Sequence, residues 1–500
     1  MKSSYCWAND DTVIHAEAGN EANFLTKAQS ATLVRRLGYV LRTHLQIGRK
    51  GTGKDVVTCI CSNNLLNPTL FFAVIGAGGV YSAASTALTV AELVWQIQSS
   101  NSDIIIATDD MAAVALEAAE RTHISPGRVL VLDYMRSGRS LSPSTNRRCN
   151  YLMETKELPW ERITDSQVLE TRVVALLYSS GTTGVPKGVR FSHKNFVAEA
   201  ILTQAAIETY LSRTNQMLNV DFEYRTIAHL PVAHISGLQG YFINGTMEVP
   251  SVYLRIAKSA SVTSEFHSLQ HAQSGAAPMG PELQKLSESK LKCKLSQAWG
   301  LTETTGAVTW LPWDREDSTG SIGTLLPNTR IKIVDDDEIG VPDGHRGEIL
   351  VKGPNVTMGY WGNVEATSNA FTADGWFRTG DIGERKNGKF YIVDRKKLEL
   401  IKYKGLQVAP AEIEALLLGH DSILDAAVIG VADPAILGNE IPRAFVVRKP
   451  GHDLITEGEV ENHVSSNLAP HKKLRGGVVF IEQVPRNPSG KILRRKLAER

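Results

Sequence analysis

An apolar run of β-type residues, Val173 to Tyr178, breaks off into Ser179-Ser180-Gly181-Thr182-Thr183-Gly184-Val185-Pro186-Lys187-Gly188, and this junction constrains the chain more than any other stretch. A strand that empties into a hydroxyl- and glycine-rich loop is how open α/β sheets place a ligand site at their strand ends. Ser179, Ser180, Thr182 and Thr183 supply hydroxyls, Gly181 and Gly184 let backbone amides approach an anion, and Lys187 adds a point charge. Such a loop suits phosphates. It departs from the common nucleotide P-loop in glycine spacing and in lacking a hydroxyl after the lysine, and by composition alone a surface turn fits equally well.

The flanking chain supplies the sheet. Thr26 to Leu45 carries apolar residues at helical spacing, Val56 to Cys61 reads as a strand, and Leu70 to Tyr81 as a buried helix. Short apolar runs at Ile104 to Ala107 and Val129 to Leu132 alternate with helical segments such as Met111 to Arg121. That alternation predicts a largely parallel sheet with helices on its faces. Gly48 to Lys54 imitates a Walker loop, but Asp55 stands where a hydroxyl is needed and the order is helix, loop, strand. It reads as a turn. Arg136 to Arg148, poor in apolar residues, reads as a surface excursion, and Ser192 as the cap of a helix through Val197 to Ile207.

Composition narrows the partners. Of 500 residues, 54 are Lys or Arg and 53 Asp or Glu, so no net field draws nucleic acid or an anionic membrane. The uncharged stretch Val56 to Ala91 has an apolar core shorter than the roughly 20 residues a membrane span needs. No integral membrane segment is expected. Five scattered cysteines without a Cys-x-x-Cys predict reduced thiols. A polar N-terminus and an end in Leu-Ala-Glu-Arg, not Ser-Lys-Leu, point to the cytoplasm.

Further along, His234 sits in Leu230-Pro231-Val232-Ala233-His234-Ile235-Ser236-Gly237, where a lone histidine is more often a core residue than a catalyst. Ser274-Gly275-Ala276 is a small-residue loop. Gln297-Ala298-Trp299-Gly300-Leu301-Thr302-Glu303 brings an aromatic, a glycine, a hydroxyl and a carboxylate together, which makes Glu303 a credible Mg²⁺ ligand. Beyond Trp310 short β-runs take over, one of them meeting Trp376-Phe377-Arg378-Thr379-Gly380-Asp381, and an aspartate there can accept two hydroxyl donors. The last hundred residues read as a compact α+β unit ending in Pro488-Ser489-Gly490-Lys491.

Together these strings resemble the adenylate-forming superfamily, nearest its 4-coumarate-CoA ligase and acyl-CoA synthetase branch. The resemblance runs from about Asp11 to the C-terminus. It implies an α/β fold with a large multi-part N-terminal domain, residues 1–394, of mainly parallel sheets plus a β-rich subdomain, and a small mobile α+β C-terminal domain, residues 395–500. It implies ATP, Mg²⁺ and coenzyme A as cofactors and a small-molecule carboxylic acid as substrate, first adenylated and then passed to the thiol. By the same resemblance Ser179 to Gly184, Lys187 and Thr302 hold phosphates, Ser274, Gly275, Ala276, Gln297, Trp299 and Gly300 surround adenine and the acyl group, and Glu303 holds the metal. Asp381 and Arg395 hold ribose, His234 sits beside the carboxylate, and Lys491 serves adenylation. Lys402, Lys404, Gly405 and Gln407 form the face that replaces Lys491 for thioester formation. A stand-alone adenylating enzyme that loads a carrier protein shares these motifs, as does a truncated, non-catalytic paralogue.

Three departures stand out. Ala298-Trp299 replaces the family's usual Gly-Tyr. The stretch between Asn244 and Val249 is short enough to lack a strand and helix of the acyl-pocket wall, which predicts reduced stability and activity. One extra residue near Leu398 lengthens the hinge before Lys402, and in a strand one residue reverses side-chain direction unless a bulge absorbs it.

Overall fold

The computed structural model describes residues 8–134, 139–160, 162–179, 186–218, 226, 228, 230–242, 252–253, 256–257, 262–276, 279, 281–335, 337–395, 401–404, 406–408, 410–451, 454–485 and 494–498. Ser180, Gly181, Thr182, Thr183, Gly184, Gly405 and Lys491 lie outside the described residues, as do the short stretch after Asn244 and the insertion near Leu398.

Among the described residues, seven strands form the first sheet, in the spatial order 140–143, 129–133, 104–108, 56–60, 80–84, 173–179, 187–192. The five inner strands run parallel, and the two edge strands are antiparallel. Val56–Ile60, Val80–Ala84 and Ile104–Thr108 are buried at every position. This is why they read as unbroken apolar runs: helices cover both faces of a parallel sheet. Each fully buried Val, Leu or Ile contributes roughly 1.5–3 kcal/mol relative to exposure.

The helices follow their caps. Thr26 accepts from Gln29 N and Gln29 returns to the Thr26 backbone, which starts helix Lys27–Thr43 as a reciprocal box. The turn after it is held by Asp55, whose Oδ2 accepts from Gly48 N at 2.7 Å and Lys50 N at 3.2 Å. The Walker imitation is therefore a helix-to-strand turn. Ser192 Oγ accepts from Asn195 N at 3.3 Å, as its capping role requires, but helix His193–Leu218 runs eleven residues past Ile207.

Two other expectations need correction. The Leu70 to Tyr81 run is not one helix: helix Asn67–Gly76 ends there, Gly78 takes a φ of +84°, and Val80 opens the next strand. Within Arg136 to Arg148, Ser140–Pro143 is an edge strand paired with Leu130 to Asp133, with Leu141 and Ser142 buried. Its serines hid it, because an edge strand is recognised by the neighbour it pairs with and not by apolar content.

The second sheet is mixed. His271–Ser274 runs parallel to Lys294–Leu301, which pairs antiparallel with Gly306–Trp310, and that in turn with Thr324–Leu325. A third, wholly antiparallel sheet follows, Arg330–Val334, Arg346–Lys352, Phe377–Lys386 and Lys389–Arg395. It is the β-rich part of the N-terminal domain. The C-terminal domain opens with the hairpin Ile401–Tyr403 and Leu406–Val408, then builds a three-stranded sheet from Ile423–Ala432, Glu440–Arg448 and Val478–Phe480. Helices Pro410–Leu418 and Glu457–Asn467 cover one face of it, and Leu497 with Val484 the other.

Candidate active site

Strand Val173–Ser179 and strand Lys187–Ser192 bracket the hydroxyl-rich loop, and their register sets Ser179 opposite Lys187. The hairpin thus places both ends of the hydroxyl-rich loop side by side. Ser179 Oγ donates to Glu303 Oε1 at 2.9 Å, and the Tyr360 hydroxyl donates to the same oxygen at 3.1 Å. Lys187 Nζ stands 5.2 Å from the centre of the Tyr360 ring. Burial pushes the Tyr360 phenol far above its usual range, and the Glu303 charge beside it pushes in the same direction. The tyrosine therefore stays a donor. Sequence reasoning missed Tyr360, whose only local signal is an aromatic pair, Tyr360-Trp361, between Gly359 and Gly362.

Glu303 sits in the short turn Thr302–Thr304, which closes when Thr305 takes a φ of 58°. Its own carbonyl accepts from Thr357 N at 2.8 Å, so the carboxylate is carried on a backbone fixed from two sides. Gly300 lets the hairpin close, since a Cβ there would meet Gly306 O at 1.6 Å. One carboxylate flanked by hydroxyls suits Mg²⁺, which keeps waters and takes phosphate oxygens for most of its shell.

Trp299 and Asp381 meet across the seam between the second and third sheets: the indole Nε1 donates to Asp381 Oδ2 at 2.9 Å. Gln297 is turned elsewhere, its Nε2 donating to Met279 O and Gln284 Oε1. Ser274 is buried at the end of its strand, and Ala276 carries the loop on with a φ of 64°. Arg395 is opposite Asp381 in the strand register.

His234 lies just before helix Ile235–Phe242, its Nδ1 accepting from Ser236 N at 3.2 Å. In the neutral ring that bond leaves the proton on Nε2, and the side chain is exposed. The Pro231 to Ala233 turn before it closes a cavity of about 180 Å³ against Cys61 to Asn63 and Ala84. The cavity lies at the C-terminal ends of the two central strands, where strand order reverses and ligands enter doubly wound sheets.

Beneath both halves lies a second residue that sequence reasoning missed. Glu199 is fully buried and accepts from Ala307 N at 2.7 Å, Gln239 Nε2 at 3.0 Å and Asn355 Nδ2 at 3.1 Å. It joins the helix after His234 to the strand after Glu303. Burial raises its pKa to about 8 against the three donors, which act to lower it.

The described site residues of the C-terminal domain are held by partners within their own domain. Lys402 and Gln407 are cross-strand partners in the hairpin, and the Lys402 side chain is exposed. Lys404 turns that hairpin with a φ of 50°. Lys402 N donates to Glu440 Oε2 at 2.8 Å and Lys404 N to Asn439 Oδ1 at 2.5 Å, so the hairpin is anchored within its own domain.

The profile of the AMP-binding enzyme family matches residues 6–361, and that of the AMP-binding enzyme C-terminal domain matches residues 412–491. The chain belongs to the AMP-binding enzyme family. A protein of Emericella nidulans assigned as an acyl-coenzyme A synthetase is 48% identical over all of this chain and 94% of its own length. Phenylacetyl-CoA ligase of Aspergillus niger is 34% identical over 97% of this chain and 93% of its own, and 4-coumarate:CoA ligase 1 of Petunia hybrida 34% over 89% and 84%. The fold matches o-succinylbenzoate CoA synthetase of Bacillus subtilis with a TM-score of 0.78 at 23% identity, covering 99% of this chain and 97% of that one. ATP-bound MatB of Rhodopseudomonas palustris matches with a TM-score of 0.64 at 25% identity, covering 98% and 96%. By class the AMP-binding enzyme described here is an ATP-dependent acid–CoA ligase. Its alignment with the Emericella protein spans 528 positions against 500 residues, so that relative holds residues this ligase lacks.

Proposed function

We propose that this ligase activates an aryl, cinnamoyl-like or medium-to-long-chain carboxylic acid without an α-amine. Ser179 and Lys187, with the loop between them, hold the β- and γ-phosphates, Asp381 and Arg395 hold ribose, and coenzyme A is the acceptor thiol. The single observation that carries the reading is the Ser179–Glu303 hydrogen bond, which joins the phosphate loop to the carboxylate after the adenine strand. Glu303 is the residue that would hold Mg²⁺, whose chemistry is to neutralise phosphate charge. The absence of any acidic residue between Ala228 and Gly245 favours an acid that brings no ammonium.

A carboxylate resists nucleophiles because of its charge, and replacing that charge with a phosphate leaving group removes the obstacle. Lys491 neutralises charge between carboxylate and α-phosphate in that step. The C-terminal domain then presents Lys402, Lys404, Gly405 and Gln407 for thiol transfer. Lys491→Ala is therefore expected to lower adenylate formation by orders of magnitude and to spare thioester formation from supplied acyl-adenylate; equal losses would overturn the assignment. ATP–pyrophosphate exchange over a panel of such acids identifies the substrate class. Offering coenzyme A beside a phosphopantetheinyl carrier decides the acceptor.

A further inference from the structure

Trp299 reaches across two sheets to hold one oxygen of Asp381. The indole belongs to strand Lys294–Leu301 and the carboxylate to strand Phe377–Lys386, and the residues are 8% and 3% exposed. Each partner is fixed independently. Trp299 belongs to a buried cluster with Val308, Ile322, Ile349, Val351 and Phe390, and Asp381 N donates to Thr379 Oγ1 at 3.0 Å. The N–H to Oδ2 contact of 2.9 Å then fixes the plane of the carboxylate.

We propose that Trp299 is a positioning residue for nucleotide recognition, its indole N–H presetting the Asp381 carboxylate to receive the vicinal ribose hydroxyls. This rests on the reading of Asp381 as the ribose acceptor. A carboxylate offers about four lone-pair directions, and the indole N–H on Oδ2 sets the plane in which they lie. The phenol of a tyrosine carries its only donor at the far end of the ring and cannot supply an N–H at this point. Nucleoside selection in this chain therefore depends on a Trp–Asp pair that bridges the seam, and not on the aspartate alone.

The test separates presetting from packing. ATP, 2′-deoxy-ATP and 3′-deoxy-ATP are titrated calorimetrically into the full chain, into Trp299→Phe and into Asp381→Asn. A third version carries 3-benzothienylalanine at position 299, which keeps the indole shape and lacks the N–H, so a folding defect in the phenylalanine variant does not end the test. The expected preference for ATP over either deoxynucleotide is about tenfold, the value of one hydrogen bond to a charged group. It should fall to about a third of that or less once the N–H is gone. If the three nucleotides weaken together, or none weakens, Trp299 only packs and the proposal is overturned. If Asp381→Asn leaves the preference intact, the ribose reading itself fails, and that outcome is distinguishable because wild type would still discriminate.

Discussion

Lys472 Nζ of the C-terminal domain lies 2.6 Å from Glu92 Oε1 of the N-terminal domain and 2.7 Å from Glu412 Oε1 of its own domain. All three side chains are about nine-tenths buried. Burial works against both carboxylates; Lys472 and bonds from Thr89 nevertheless hold Glu92 below its usual range, while Glu412 stays above it. The arrangement is asymmetric. Were the domains to part, Lys472 would keep Glu412 and Glu92 would keep its cap partner Thr89, whose backbone and hydroxyl donate to Glu92 Oε2.

Glu92→Gln is accordingly expected to keep the helix cap and loosen the domain contact. Lys472→Met, which strands two buried carboxylates, should cost about 3–5 kcal/mol. Urea unfolding reads the stability loss, and spin labels placed on the two domains read their separation. A distance distribution unchanged in Glu92→Gln would show that the contact does not set domain orientation.

Glu199 gives a pH signature. Its folded pKa of about 8 stands above the roughly 4.3 of an unfolded glutamate. Its contribution to stability is fully present below about pH 4.3 and is lost as pH rises through the folded value, at about 1.4 kcal/mol per unit in between. Glu199→Gln removes this slope, and Asn355, whose Oδ1 is buried without a partner, can turn to accept the new amide. Thermal melts between pH 5 and 8 should fall more steeply for wild type than for the variant. Parallel curves would place the carboxyl's ionisation elsewhere.

On the proposed role of Glu303 as the Mg²⁺ ligand, Glu303→Gln removes a hard anionic ligand and should raise the Mg²⁺ concentration needed for adenylation severalfold. Tyr360→Phe keeps the ring beside Lys187 and removes one donor to Glu303, so a smaller rise in the same direction is expected. Mg²⁺ titrations of pyrophosphate exchange check both. An unchanged requirement in Glu303→Gln would take this residue out of the metal site.

The stretch between Asn244 and Val249, expected from the sequence to be short, is tested by insertion. Inserting a family-like strand and helix there is expected to raise the melting temperature and the exchange rate, with acyl binding gaining more than nucleotide binding. Loss of a crossover leaves backbone donors unpaired and apolar faces wet. Melts and exchange rates of the two versions that coincide would make the short stretch a natural variant of the pocket wall.

The sequence by itself determined what local chemistry can carry. Buried parallel strands announced themselves because both faces need apolar side chains, as at Val56–Ile60 and Ile104–Thr108. The strings at Ser179, Trp299, Asp381 and Lys491 were legible because each packs several reactive groups into a few positions. Tertiary structure decided which of these groups touch. Ser179 and Glu303 are 124 positions apart, Trp299 and Asp381 are 82 apart, and Glu92 and Lys472 are 380 apart. Tyr360, Glu199 and the strand Ser140–Pro143 escaped notice for the same physical reason: a hydroxyl, a carboxylate or an edge strand takes its role from the partner it meets, and the partner comes from elsewhere in the chain.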